Sequence, residues 1–197
     1  ATLEQWAIDV GHDIGAAARL EVWLHHHAAA GLSSATLINN AGLGGEVDVV
    51  DMTDEQWHRV IDVTLNSVFR MSRAFLPAMY ARKSGVVVNN ASVLGWRAQK
   101  GQAHYAAAKA GVMAFTRCSA MEAAAHNVRI NAVAPSIAMH AFLAKVTTDD
   151  LLAELSAREA FGRPAEVWEV ANVMLFLASD LSSYMTGEVV SVSSQRA

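Results

Sequence analysis

Apolar residues along this chain alternate between two rhythms. Residues 35–38 form a short apolar run closed by Asn39-Asn40-Ala41-Gly42, which predicts a buried strand. Thr53-Asp54-Glu55-Gln56 carries the side chains of a capping box and opens a helix. Trp57, Val60, Ile61, Thr64, Leu65 and Val68 then recur at the three-to-four spacing of one helical face. Gly85-Val86-Val87-Val88-Asn89-Asn90 is β-branched and predicts a second buried strand. Residues 104–125 read as a long Ala-rich helix, and residues 128–134 as a third strand stopped by Pro135. Residues 137–163 read as helical, polar and mobile, with Thr147-Thr148-Asp149-Asp150 as a helix start. Another helix follows over 164–178 and a last strand over 187–192. Strand and helix alternate without hairpin signals, which predicts an α/β fold: a doubly wound parallel sheet between two helical layers. Ligands in such folds sit beyond the carboxyl ends of the strands. Asn40, Ser92 and Pro135 each fall at such an end.

Composition narrows the reading. The 197 residues are most simply one domain without internal repeat or linker. A hydrophobic content of 53% is ample for a buried core, and a net charge of −4 argues against a nucleic-acid partner. No run of 18 apolar residues exists, so no membrane span is expected. A basic-then-apolar secretory signal is not visible, so a cytoplasmic protein is expected. The single cysteine, Cys118, near Ala114, Phe115 and Met121, reads as a small buried hydrophobe. His25-His26-His27 does not read as a metal site: adjacent helical residues point different ways, and no carboxylate or cysteine joins them at ligand spacing.

The candidate chemistry lies on the long helix. Tyr105 and Lys109 are four apart and so share a face, with Ser92 upstream. A phenol with a pKa of about 10 is a poor base at neutral pH. An ammonium one turn away favours the phenolate, making Tyr105 a proton donor and acceptor for a carbonyl/alcohol pair. Ser92 can hydrogen-bond the same oxygen. The plain alternative is a packed tyrosine with a lysine snorkelling past it. Asn66 falls between Leu65 and Val68 on the apolar stripe, so it is expected to be buried and to need partners. His104 reads either as a substrate contact or as a solvated first-turn histidine. Trp96 and Arg97 read either as walls for a bulky or anionic substrate or as exposed loop.

Taken in order, Asn39-Asn40-Ala41-Gly42, Asn66, Ser92, Tyr105 with Lys109, and Asn127-Val128-Arg129-Ile130-Asn131-Ala132-Val133-Ala134-Pro135 resemble the short-chain dehydrogenase/reductase family. The resemblance covers roughly residues 35–197 and implies a Rossmann-like fold using NAD(H) or NADP(H). It implies reduction of a ketone or oxidation of a secondary alcohol. Tyr105 transfers the proton, Lys109 lowers its pKa and binds the nicotinamide ribose, and Ser92 positions the oxygen. Asn66 completes a proton relay by interrupting helical bonding and holding a water near the lysine. Further implied cofactor contacts are Asp9 and Val10 beside the adenine, then Asn40, Ala41, Gly42, Pro135, Ile137 and Ala138. A homotetramer or homodimer is also implied, built on the 104–125 helix and the preceding helix with Phe69, Met71, Phe75 and Met79. The segment around 138–163, polar, without sheet signals and following the strand end, reads as a substrate lid.

The chain departs from the family at several points. No Thr-Gly-x-x-x-Gly-x-Gly is present, and Gly11-His12-Asp13-Ile14-Gly15 is a partial echo placed too close to Asn39. The expectation is that roughly 50 residues of a complete domain precede Ala1. Pro135-Ser136 replaces Pro-Gly, and His140 stands where threonine is usual. Within the family, residues 88–99, residues 134–138 and the terminus Val190-Ser191-Val192-Ser193-Ser194-Gln195 are similar to actinobacterial reductases of steroid ring degradation. Those act on a hydroxy-methyl-indanone-propionyl-CoA intermediate. The alternatives are a 3-oxoacyl-carrier-protein reductase of fatty-acid synthesis and a catalytically silent scaffold relative.

Overall fold

A computed structural model of the chain describes residues 36–139 and 148–194. Strand β1 (Thr36–Asn39) leads through a loop to helix α1 (Asp54–Ile61), a π-helical turn (Asp62–Asn66) and helix α2 (Ser67–Arg82). Strand β2 (Gly85–Asn90), a 3₁₀ turn (Val93–Gly95) and the 22-residue helix α3 (Ala103–Ala124) follow. Next come β3 (Val128–Pro135), the two-residue strand β4 (Ala138–Met139), helix α4 (Asp149–Ala157), the two-residue strand β5 (Ala165–Glu166), helix α5 (Val167–Ala178) and β6 (Val189–Val192).

Four strands pair in parallel in the order β1-β2-β3-β6, with Leu37 opposite Val87, Val87 opposite Ile130 and Val133 opposite Val190. The uniform valine run of β2 follows from burial on both faces. Val87 packs with Leu37, Met71, Met79, Ala120 and Ile130. Val86 and Val88 point the other way and pack with Val133, Val170, Met174 and Leu177 of the α5 side. Strand period two thus feeds two cores from one sequence run, and the expected parallel sheet with helices on both faces is present.

Local chemistry sets the element ends. Thr53 caps α1, its hydroxyl accepting from Gln56 N at 3.2 Å while Gln56 Oε1 accepts from Thr53 N at 2.9 Å. Lys83 and Asn127 adopt left-handed backbone at the entries to β2 and β3, and Asn127 Nδ2 donates to Lys83 O at 3.0 Å.

Several expectations are corrected. Among the described residues of 137–163, α4 is the helical part, and β4 pairs with β5 in a small parallel ladder; a two-residue strand has no periodicity to read. Helix α5 begins at Val167 rather than Pro164. Cys118 is exposed, because it lies on the outer side of α3 away from the sheet. Met71 and Met79 are fully buried in the chain's own core, whereas Phe69 is exposed.

Candidate active site

Helix α3 presents Tyr105 and Lys109 at the carboxyl ends of β1 and β2. Lys109 is 2% exposed, and its Nζ donates to the backbone carbonyl of Asn90, the last residue of β2, at 2.5 Å. The same Nζ lies 5.6 Å from the centroid of the Tyr105 ring. Two residues beyond β2, Ser92 leaves the strand in extended backbone and accepts from Leu94 N at 3.2 Å, capping the 3₁₀ turn. Its side chain also hydrogen-bonds Tyr105. Gly95 makes this approach possible: a Cβ there would sit 2.6 Å from Met113 Cε and 3.1 Å from Ala110 N, so the loop lies directly on α3. Ser92, Tyr105 and Lys109 are therefore brought together, as their order along the chain anticipates.

The electrostatics differ from expectation. Burial holds the Tyr105 phenol above its ordinary value, outweighing the opposing effect of the Ser92 hydrogen bond. Burial likewise pulls Lys109 down to about 8. The spacing of the pair says nothing about how dry the site is, and dryness decides the sign for both groups.

The turn after β1 closes over this pair. A Cβ on Gly42 would lie 3.2 Å from Lys109 Nζ, and one on Gly44 would lie 3.6 Å from the Tyr105 ring. Leu43 is fastened to the π turn by Thr64, whose hydroxyl accepts from Leu43 N at 3.0 Å and donates to Leu43 O at 3.1 Å. Sequence reading placed Thr64 on the apolar stripe and missed this tie; a buried hydroxyl on that stripe is the signal that could have found it.

Asn66 is half-buried at the end of the π turn, so the helix is interrupted where the resemblance implies. Its Nδ2 donates to Asp62 Oδ1 at 2.9 Å. Asp62 also takes two bonds from Arg70, and the Asn66 bond first, then Arg70, hold its carboxyl below the usual range. No hydrogen bond joins Asn66 to Lys109.

The remaining candidates divide. Asn40 accepts from Asn90 Nδ2 at 2.7 Å across the ends of β1 and β2, and Ala41 and Gly42 continue that turn. Pro135 is buried at the end of β3. Ser136 N donates to Val192 O at 3.1 Å and Ala165 N to Ile137 O at 2.9 Å, so Ile137 and Ala138 leave the sheet at its ligand-facing edge. Asp9, Val10, His25, His26, His27 and His140 lie outside the described residues. His104 is not solvated: it is 2% exposed, with Nε2 pressed towards Gly45 and Nδ1 buried without a partner among the described residues. Trp96 is half-exposed and lines a groove of about 700 Å³ with Asp48, Leu94, Ala103, Ala107 and Ala110, not the space beside Tyr105.

Behind the site runs a buried polar relay. Asn39 Nδ2 donates to Asn89 Oδ1 at 2.8 Å, Asn89 Nδ2 to Thr116 Oγ1 at 2.9 Å, and Thr116 to Val112 O at 2.8 Å. It fixes the adjacent strand ends of β1 and β2 against α3.

Comparison with known proteins accords with this geometry. A family profile described as "Enoyl-(Acyl carrier protein) reductase" matches residues 3–194. The (5R,7aS)-5-hydroxy-7a-methyl-1-oxo-2,3,5,6,7,7a-hexahydro-1H-indene-carboxyl-CoA reductase of Mycobacterium tuberculosis is 66% identical over 160 residues, 81% of this chain and 61% of that protein. The 3-oxoacyl-[acyl-carrier-protein] reductase FabG of Thermotoga maritima is 42% identical over 156 residues, 79% of this chain and 63% of its own length. A crystal structure of a short chain dehydrogenase from Mycobacterium smegmatis superposes with a TM-score of 0.69 at 62% identity, covering 82% of this chain and 59% of that one. A 3-oxoacyl-[acyl-carrier protein] reductase from Brucella melitensis gives 0.76 at 34% identity, covering 80% and 60%. The chain thus spans 59–63% of the length of these relatives.

Proposed function

The chain belongs to the short-chain dehydrogenase/reductase family, and from that premise we propose that it interconverts a ketone and a secondary alcohol with a nicotinamide dinucleotide, on a CoA-linked bicyclic ring compound. The substrate class follows the name of the M. tuberculosis relative. That name gives the acyl group as carboxyl where the sequence resemblance suggested propionyl.

One observation carries the reading. The Ser92 and Tyr105 hydroxyls are hydrogen-bonded to each other at the strand ends, with a buried ammonium beside the phenol ring. A substrate carbonyl entering there takes a hydrogen bond from each hydroxyl. Because burial keeps Tyr105 protonated, the phenol is poised as the acid for carbonyl reduction. Lys109, at about 8, is still charged at neutral pH and stabilises the phenolate that remains after transfer. Asn66 Nδ2 donates to Asp62, which leaves its Oδ1 as an acceptor to hold a water that would carry the proton. The bound dinucleotide supplies or accepts the hydride.

The residues present fit such a group. Among the described residues a buried ammonium meets a single neutral carbonyl, and the neighbouring Asn90 Oδ1 is out of water with no partner. Asn40, Ala41, Gly42, Lys109, Pro135, Ile137 and Ala138 would hold the nicotinamide half at the strand ends. We further propose that the described residues form one domain, that the protein is cytoplasmic, and that it assembles as a homodimer or homotetramer through the outer side of α3.

The test uses the full-length protein with NADH and NADPH in parallel. The hydroxy-methyl-oxo-indene acyl-CoA pair is compared with a 3-oxoacyl thioester on carrier protein. The expected result is dinucleotide binding, turnover of the ring compound, and a roughly 10²–10⁴-fold loss in Tyr105→Phe. Faster turnover of the carrier-protein thioester would assign fatty-acid synthesis instead. Binding without turnover of either would mark a silent relative, and full activity in Tyr105→Phe would overturn the proton-transfer role.

A further inference from the structure

Two residues beyond α4 stands a buried carboxylate, Glu159, which is 4% exposed. Its Oε2 accepts from Ser194 N at 3.1 Å and from Ser194 Oγ at 2.7 Å. Ala160 N adds a bond to Ser194 O at 2.7 Å. Three hydrogen bonds thus fasten the turn after α4 to the residue two places beyond β6. Glu159 Oε1 is out of water and has no partner among the described residues. Nor does a cation meet the carboxylate there: Arg158 pairs with Glu154, and Arg163 with Glu169. A buried ion so placed costs stability that a neutral residue of similar size would not. Only the bonds to Ser194 offset that cost.

The place of Ser194 makes this tie more than local. Two residues earlier, Val192 O accepts from Ser136 N at 3.1 Å, where the chain leaves β3. From Ser136 the chain enters β4, whose Ala138 stands opposite Ala165 of β5, and Ala165 N donates to Ile137 O at 2.9 Å. Between Glu159 and β5 the turn is closed by Gly162 N, which donates to Glu159 O at 2.9 Å. The path therefore returns on itself, from β6 through Ser136, β4, β5, Glu159 and Ser194 back to β6. Ile137 and Ala138 belong to that ring, at the carboxyl end of β3 where ligands enter such sheets. A ladder of two residues per strand is too short to hold its own place. The anchors on either side set it, and both land on the end of β6. One is the backbone bond at Val192; the other is Glu159.

We propose that Glu159 is a positioning residue: through Ser194 it fixes the β4–β5 ladder, and so holds Ile137 and Ala138 in place for the bound dinucleotide. This rests on the proposed dinucleotide-dependent function. Glu159 acts through the tail and the ladder, not by touching a ligand. A glutamine in its place keeps a carbonyl oxygen for both Ser194 donors and removes the buried charge. An alanine removes the tie.

The experiment reads dinucleotide binding and stability side by side. Full-length wild type, Glu159→Gln, Glu159→Ala, Ser194→Ala and the double variant Glu159→Ala/Ser194→Ala are titrated with NADH and NADPH by nicotinamide fluorescence. Urea melts on each place the titrations where every variant is folded. Glu159→Ala is expected to bind the dinucleotide roughly 3- to 30-fold more weakly, the range for a residue that alters a site without contacting its ligand. Glu159→Gln is expected to bind as wild type does. Ser194→Ala, which removes one donor, is expected to weaken binding by less than Glu159→Ala. The double variant is expected to bind no worse than Glu159→Ala, because both changes cut the same tie. Unchanged binding in Glu159→Ala with a lower urea midpoint would overturn the positioning role and leave the residue a purely structural one. Binding by Glu159→Gln as weak as that of Glu159→Ala would overturn it too, since the Ser194 bonds would then not be the cause. If Glu159→Ala does not fold, unchanged binding in Ser194→Ala overturns the proposal and weakened binding supports it. Each of these results leaves the proposed function standing; wild type that binds no dinucleotide would overturn both.

Discussion

Lys109 is charged in a place where charge is costly. The residue is 2% exposed, its ammonium meets one neutral carbonyl among the described residues, and burial lowers its pKa from 10.5 to about 8. A base whose folded pKa lies below its unfolded one reduces stability wherever the folded protein still carries the proton. The cost is complete below pH 8 and is relieved as pH rises from about 8 towards 10.5. A shift of that size corresponds to about 3 kcal/mol. Lys109→Met, of similar length and uncharged, should therefore raise stability at pH 7 by roughly 1–3 kcal/mol while removing activity. The gain should shrink towards pH 10, as urea melts at the two pH values will show. A variant less stable than wild type at pH 7 would mean that the Asn90 bond outweighs the burial cost. At this scale the sequence made the Tyr105–Lys109 pair and Ser92 legible, because helical spacing and strand ends are local facts. The sign of the Tyr105 shift, the burial of His104 and the exposure of Cys118 were not legible. Each depends on which distant segment covers the side chain, as Gly45 does for His104.

Between residue and molecule, the elements that shape the site are joined by few side-chain ties. Thr64 is the most direct: from the π turn it holds both backbone groups of Leu43, and the same loop lies over Tyr105 and His104. Thr64→Val preserves shape and removes the hydroxyl, leaving two backbone groups without their partner. The expected loss is about 1–3 kcal/mol, seen as a lower urea midpoint at unchanged slope. Thr64→Ser should recover most of it. If the valine variant melts with wild type, the loop is held by its backbone contacts alone. Strands β1, β2, β3 and β6 and helices α1, α2, α3 and α5 were legible because each carries a period or a cap strong enough to read locally. The β4–β5 ladder was not, since its two residues per strand owe their conformation to each other across a gap of more than 20 positions. The π turn was implied only by resemblance, because inserting one residue into a helical turn leaves the apolar stripe almost intact.

For the molecule as a whole, alternation of strand and helix indicated a parallel sheet but did not order its strands; the order β1-β2-β3-β6 is a product of packing. Phe69 and Met121 are exposed on α2 and α3 although Met71 and Met79 are not. A two-fold contact through the outer side of α3 would cover Met121 and Cys118. Light scattering on the full-length protein at micromolar concentration should give a dimer or tetramer mass, and a monomer mass would return those side chains to ordinary surface. The ladder has one more consequence. Thr36 pairs with Val86, Gly85 with Val128 and Ala132 with Val189, so each strand pairing closes a loop of about 40 to 60 residues before any hydrogen bond forms. Among the described residues no hairpin is available as a local nucleus, and β2, which must be embraced from both edges, waits for two such closures. Refolding from denaturant should accordingly proceed over milliseconds to seconds rather than microseconds, with helix appearing ahead of the sheet.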